Sequence, residues 1–448
     1  MHAMRGVLHG RTEAPGLLRD VVAWNRSGER AGIVSVCSAS PFVLEAAMLQ
    51  AAADDTVACL ESTCNQVNQY GGYTGMTPAA FRDSLVMIAA RLGLDLGCVV
   101  VGGDHLGPYP WRHEAAAAAM AKACRLVEDC VRAGYTKLHL DASMPCGGEA
   151  GVEGDPLDPR LAAARTADLC AAAEAAHAEA GPGVPAPFYV IGSEVPLPGG
   201  EPAGAGPVTP TSAAAAESAL DLAREAFRER GLEAAWERVV ALVVQPGVEF
   251  GDETVAVYGR SAARELVAWL KTQPPLVFEA HSTDYQPATA LAEMVADHFA
   301  ILKVGPGLTY AMREAFFALE DVERELGAGT AGAQLSHLQD TLDAAMVAHP
   351  EHWRDYYRGD DEQLRRARAI SYSDRCRYYW PYPEVQAALG RLFANLSPAA
   401  IPAELLARHL PRQYEALRAG RLSPRPDDLV RHAILEVLGP YAAACGMR

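Results

Sequence analysis

The stretch CVVVGGDH, residues 98–105, closes an apolar run with two glycines, a carboxylate and an imidazole. Short runs rich in Val, Ile and Leu read as strands buried on both faces, the mark of a parallel sheet. A strand ending in Gly-Gly-Asp-His delivers Asp104 and His105 at its carboxyl end, where parallel α/β folds keep their chemistry. Neighbouring residues on a strand point to opposite sides. Both groups therefore reach one site only if the chain bends at the strand end.

Working outward, the same kind of run recurs on either side. GIVSVC (32–37) and VACLES (57–62) precede it; TKLHLDAS (136–143), FYVIGSE (188–194), VVALVVQPG (239–247), PLVFEAHS (275–282) and HFAILKVGPG (298–307) follow. Ala-rich helical stretches separate these eight runs. Eight such β–α units predict a (β/α)8 TIM barrel over residues 1–329. The competing open, doubly wound sheet lacks its G-x-G-x-x-G fingerprint, since GPGLTY has the wrong spacing. From residue 330 to 448 the pattern becomes purely helical, so a helical extension packed on the barrel, or a short separate domain, is expected there. The Pro/Gly-rich stretch 197–212 reads as a lid over the mouth.

Polar groups close every strand: Ser38, Glu61, Asp104 with His105, Asp141 with Ser143, Glu194, Gln245, Glu279 with His281, and Lys303. A purely structural rim has no need of convergent carboxylates and imidazoles. His105, Glu194 and His281 are the predicted ligands of a divalent metal: zinc first, with manganese, nickel or cobalt as alternatives. His139, inside its strand, reads as barrel filling. Asp104 is the predicted proton-transfer group; Asp141 and Glu279 are assigned to acid/base work or to orienting a ligand imidazole. A metal that polarises a ketose carbonyl, beside a carboxylate that moves the C4-hydroxyl proton, is what reversible C3–C4 cleavage of a ketose requires.

Substrate contacts are expected from Asn65, Gln66 and Gln69 in the polar ESTCNQVNQYGGYTGMTP loop, and from Ser143 and Gln245. Ser282 and Asp284 in HSTDY, with Lys303, complete that set. The amides of Gly305 and Gly307, at the start of the helix after the eighth strand, offer either a phosphate site or an ordinary tight turn. Arg375 and Arg377, in the cationic and aromatic SYSDRCRYYWP segment, read as a solvated face, with a phosphate contact from the extension as the alternative.

Composition narrows the rest. With 39 Lys and Arg against 56 Asp and Glu, the chain carries a net charge of −17. That argues against nucleic-acid and anionic-membrane partners. Its 10 cysteines include no C-x-x-C pair, and no apolar run is long enough to span a bilayer. A reduced, cytoplasmic protein is expected, with a homo-oligomer as one assembly.

Taken in order, CSASPFVLEAAM, ESTCNQVNQYGGYTGMTPAAFR, GGDHLGP, LHLDASM, YVIGSEVPLPGG, LVVQPGVEF, FEAHSTDYQ, ILKVGPGLT and YSDRCRYYWP resemble the non-catalytic, Z-type subunit family of tagatose-1,6-bisphosphate aldolase. The resemblance runs from about residue 30 to the end. That family is similar to zinc-dependent class II aldolases, which implies a barrel, with Asp104 and His105 matching the aldolases' catalytic acid and first metal histidine. LDASM is similar to their I-D-G-S-H stretch at Asp141 and Ser143, and His281 corresponds to their later metal histidine. The middle metal histidine has no evident counterpart, and Glu194 in GSEVP would substitute for it. The resemblance implies either a ketohexose or ketohexose-phosphate 4-epimerase, or a stabilising partner for a class II aldolase subunit. Without a G-x-x-x-x-G-K-[ST] stretch, a kinase is not indicated.

Overall fold

A computed structural model of the chain describes residues 14–149, 157–181, 183–192, 208–327, 334–397 and 400–447. Eight parallel strands close into a barrel: β1 (Ile33–Cys37), β2 (Ala58–Thr63), β3 (Val99–Leu106), β4 (Lys137–Leu140), β5 (Phe188–Gly192), β6 (Val239–Val243), β7 (Val277–Ala280) and β8 (Phe299–Val304). Each lies beside its neighbour in the chain, and β8 returns to β1 with Ile33 opposite Ile301. All eight fall on the predicted runs. Between strands, the helices start and stop on local signals. The helix Pro78–Leu92 shows both: Thr77 caps its start by accepting from the Ala80 amide, proline takes the first position, and Gly93 leaves the last turn in a left-handed conformation.

The two glycines of β3 make room for their neighbours. A Cβ on Gly102 would lie 2.7 Å from Cγ of Glu61, and one on Gly103 would lie 2.6 Å from the Leu106 side chain. His105 has φ of +49° and the β3–β4 register shifts between Gly103 and Leu106. This is the bend that the adjacent Asp and His need, and it turns both side chains into the barrel. On β4 no bend is required: Lys137 and His139 alternate inward, and Asp141, just past the strand, continues that face. Glu279 and His281 do the same at the end of β7.

The barrel's amino-terminal end is sealed by the helix Ala14–Arg26, which packs on β3, β6, β7 and β8. Its Asn25 donates to the carbonyls of Ala31 and Val295, just ahead of β1 and β8. The carboxyl-terminal end is left for the site. The chain's last helix, Pro426–Ala444, packs against the helices that follow β1, β7 and β8. It is tied to the barrel by Tyr441, whose hydroxyl donates to the Thr283 carbonyl at 2.5 Å, and by the Gly32 amide, which donates to the Cys445 carbonyl at 3.1 Å. The expected boundary at 329/330, the lid up to residue 207, and Glu194 lie outside the described residues.

No described helix is long and apolar enough to cross a membrane, and all ten cysteines are free thiols.

Candidate active site

At the carboxyl ends of β3, β4 and β7 three imidazoles form a triangle. Ring centroids lie 5.1 Å apart for His105 and His139, 4.9 Å for His105 and His281, and 5.0 Å for His139 and His281. Each ring is backed by its own carboxylate. His105 Nδ1 meets Asp141 at 2.8 Å, His139 Nδ1 meets Asp104 at 2.8 Å, and His281 Nε2 meets Glu279 at 3.0 Å. Carboxylates in these positions fix ring orientation and raise basicity, as they do behind metal-bound histidines. They leave Nε2 of His139 and Nδ1 of His281 for an ion, while Nε2 of His105 faces Asp104 at 3.7 Å. His139 Nε2 is buried with no hydrogen-bond partner among the described residues, which a purely structural histidine should not tolerate. The ligand atoms of Asp104, His139, Glu279 and His281 all lie within 4.8 Å of one another.

Beneath the rings lies a lattice of charge. Lys137 Nζ is 2.5 Å from Glu61 and 2.6 Å from Glu279, all three side chains fully buried. Lys303 joins it, paired with Glu61, with Asp104 at 3.0 Å and with Glu279 at 3.5 Å. Four buried carboxylates (Glu61, Asp104, Asp141, Glu279) thus face two buried ammonium groups. The carboxylates carry an excess of negative charge, which a protonated His105, raised in pKa by Asp104 and Asp141 against the cost of burial, or a bound cation compensates. The donor set and the charge both fit a divalent metal.

The same electrostatics settle protonation states. Burial opposes charge on Asp104, but His105 and Lys303 outweigh it and hold the carboxyl well below its ordinary range. Burial also opposes charge on Glu61 and Glu279, and Lys137 and Lys303 keep both ionised. His281 is pushed down to about 4 by burial, so its ring is neutral near pH 7 and its lone pair available. Asp284 has the opposite fate: burial pushes it up to about 6.

Above the triangle opens a cavity of about 80 Å³. Of the three predicted catalytic carboxylates only Asp104 lines it; Asp141 and Glu279 stand behind the rings they orient. Asn65, Gln66, Ser282, Asp284, Lys303 and Gly305 reach the cavity as expected. Gln69, Ser143 and Gln245 do not line it. Gln69 donates to the Lys122 carbonyl, Ser143 donates to Asp141, and Gln245 closes its own turn by accepting from the amides of Gly247 and Val248.

Three expectations need correction. His139 is not barrel filling but one corner of the triangle, because period-two alternation from Lys137 carries it to the same face as Asp141. The glycine amides after β8 are not open to a ligand: Asp284 Oδ1 accepts from Gly305 at 3.0 Å and from Gly307 at 2.7 Å. Arg375 and Arg377 do not form a solvated face. Arg375 is buried and Arg377 lines the cavity beside Tyr378. The buried ion pair between Arg313 and Asp374, at 2.8 Å, pins this segment to the helix after β8. Lys137, Tyr73 and Tyr378 were not singled out in the sequence. The polar alternation Lys-x-His-x-Asp within an otherwise apolar strand was a signal for Lys137 and His139; nothing local pointed to the tyrosines.

Fold and site together define a (β/α)8 barrel with a buried histidine–carboxylate cluster opening into a cavity at its carboxyl-terminal face. The chain belongs to the D-tagatose-1,6-bisphosphate aldolase subunit GatZ/KbaZ-like family, whose model matches residues 18–446. It is 48% identical over 430 residues to the D-tagatose 6-phosphate 4-epimerase of Agrobacterium fabrum, covering 96% of this chain and 98% of that one. It is 45% identical over 429 residues to the D-tagatose-1,6-bisphosphate aldolase subunit GatZ of Salmonella paratyphi B, covering 96% and 99%. A crystal structure described as a probable tagatose 6-phosphate kinase from Sinorhizobium meliloti 1021 superposes with a TM-score of 0.83 at 44% identity, over 92% of this chain and 100% of that one.

Proposed function

We propose that this protein is a metal-dependent ketohexose 4-epimerase, interconverting tagatose and fructose or their 6-phosphates by breaking and re-forming the C3–C4 bond. The observation that carries the reading is the imidazole triangle, each ring backed by a carboxylate, at the floor of a polar cavity at the carboxyl-terminal mouth of the barrel. The 48% identical relative named as a D-tagatose 6-phosphate 4-epimerase supports the substrate class. His139 and His281, with His105 beside them, would hold a divalent ion, zinc ahead of manganese, nickel or cobalt, and when bound it would supply Lewis-acid polarisation of the ketose carbonyl.

The chain's own groups do the rest. Asp104, ionised and facing the cavity, takes the proton of the C4 hydroxyl as the C3–C4 bond breaks. The C4 fragment becomes an aldehyde, turns its other face, and is attacked again by C3. Asp104 then returns the proton to the C4 oxygen, so no atom is gained or lost. Lys303, 3.0 Å from Asp104, holds that carboxylate's charge and position. Asn65 and Gln66 line the cavity where sugar hydroxyls need partners, while Asp141 and Glu279 keep two of the rings from rotating. The barrel and the extension act as one unit here, because Arg377 and Tyr378 complete the cavity wall.

A second reading rests on the aldolase-subunit relatives: a partner that stabilises a separate class II aldolase subunit. A kinase role, as the solved relative's description suggests, has no G-x-x-x-x-G-K-[ST] stretch in this sequence to support it. The two remaining readings separate in one experiment on the purified chain alone. It is incubated with tagatose 6-phosphate and with tagatose, with divalent metal and with chelator, and products are followed by NMR. Metal-dependent appearance of the fructose epimer is the expected result. Triose products would instead make it an aldolase. No turnover with any metal would leave the partner role, checked by co-purification with a class II aldolase subunit.

A further inference from the structure

The cavity wall contributed by the carboxyl-terminal extension holds a cation that makes no salt bridge to a carboxylate among the described residues, Asp374 and Asp284 acting on it only from a distance. Arg377 Nη1 donates to the carbonyls of Ser373 at 2.5 Å and Asp374 at 3.0 Å, and Nη2 donates to the Tyr378 hydroxyl at 3.2 Å. These partners are all neutral oxygens. They fix the guanidinium without neutralising it. Every other cation at the floor is spent on carboxylates: Lys137 on Glu61 and Glu279, Lys303 on Glu61, Asp104 and Glu279.

The position of Arg377 is built rather than incidental. Its segment is anchored by the buried Arg313–Asp374 pair, and Asp374 also accepts from Thr309 at 2.6 Å. Tyr378 is stacked on His352, with centroids 4.7 Å apart and planes 12° from parallel. On its other flank Tyr73, from the loop after β2, approaches to 4.5 Å. The guanidinium packs over the Tyr378 ring at 4.6 Å. Arg377 also sits at the junction of two cavities. Together with Cys37, Gln66, Tyr73 and Gly305 it borders both the site above the triangle and an adjoining one of about 380 Å³.

The alternative anion site is closed. The amides at the start of the helix after β8 are held by Asp284, so a phosphate there would have to displace a carboxylate and then sit against its charge. We propose that Arg377 is the phosphate-recognition residue of this cavity, setting the preference for a ketohexose 6-phosphate over the free sugar. The inference rests on the 4-epimerase reading for its substrate, but not for the anion it binds. A fixed guanidinium offers a phosphate oxygen pair both charge and directed N–H groups, which an ammonium offers less well.

The test compares the full-length metal-loaded protein with Arg377→Gln and Arg377→Lys. Steady-state kinetics are measured on tagatose 6-phosphate and on tagatose, and inorganic phosphate binding is measured by calorimetry. In Arg377→Gln the ratio of kcat/KM for the phosphorylated sugar to that for the free sugar should fall about 10- to 100-fold, mostly through KM. Inorganic phosphate should weaken by a similar factor, and Arg377→Lys should recover part of both. A ratio unchanged in both variants overturns the assignment, as does inorganic phosphate binding equally to all three proteins. If the wild type turns over neither sugar, the 4-epimerase reading falls on its own. The phosphate titration then still decides the subsite: loss of binding in Arg377→Gln upholds it, and absence of binding to the wild type sinks it.

Discussion

The cavity has two sides of different construction. Its floor is made of charged and imidazole groups from β2, β3, β4, β7 and β8, each held by an oppositely charged partner and nearly all out of water. Its outer wall is made by the extension, where aromatic rings stack and one arginine is held only by neutral oxygens. Rings and carbonyls can position a group without cancelling its charge; paired charges position a group by cancelling it. The floor is thus suited to fixing a metal and a reacting centre. The wall is suited to meeting a charge that arrives with the substrate.

Removing a floor residue should therefore damage the chemistry whatever the substrate, and the sharpest case is His139→Ala. Losing a residue that merely orients a metal ligand costs about 10- to 100-fold in metal affinity or activity. Losing a ligand should cost on the order of 10³-fold, on phosphorylated and free sugar alike. Bound metal counted by plasma emission after dialysis, together with turnover of both sugars, checks it. Full metal content with full turnover would return His139 to the barrel-filling role that its place inside a strand first suggested.

Much of the floor was legible before any coordinates, and the reason is geometric. In a parallel barrel the carboxyl end of every strand faces one mouth, so Asp104, His105, Glu279, His281 and Lys303 could be brought together by counting strands. Inside the strand the same logic is masked by the flanking leucines of LHLD, which make His139 read as barrel filling and leave Lys137 without a role. The wall was legible only as two arginines with a phosphate contact as the second choice, and the reason is a different one. Arg377 follows β8 by more than seventy residues and returns through the Arg313–Asp374 pair and the Tyr73–Tyr378 contact, which no local pattern encodes. Asp284 was read as a substrate contact because its partners, the Gly305 and Gly307 amides, lie across a strand pair and not beside it in the chain.

Lys137→Met probes the floor's stability instead of its chemistry. Removing one partner from a buried ion cluster typically costs about 3–5 kcal/mol, because the carboxylates left behind stay buried with less compensation. Urea denaturation should show a loss of that order, with CD confirming the fold. A second change, Glu61→Gln, should recover part of it by removing one of the stranded charges, so that the two substitutions couple. A loss under about 1 kcal/mol would mean that water or rearrangement of Lys303 relieves the lattice, and that the floor is less rigid than its pairing implies.

The smallest effect is expected where floor and wall meet, at Asp284. Its Oδ1 accepts both glycine amides, yet burial holds the carboxyl up to about 6. An unfolded chain releases that proton near pH 4. Between about pH 4 and 6 the folded protein therefore binds the proton more tightly, and this residue's contribution to stability declines as pH rises through that window. Asp284→Asn keeps an oxygen for both amides and removes the charge. The difference in Tm between variant and wild type should then favour the variant more at pH 8 than at pH 5, by on the order of 2 °C. Removing the carboxylate should also tighten inorganic phosphate at the neighbouring Arg377. An equal Tm difference at both pH values would show that the amides and Arg377 already satisfy the charge. The closed amide site would then be a rigid turn in its own right, and the contrast between it and the arginine wall would rest on Arg377 alone.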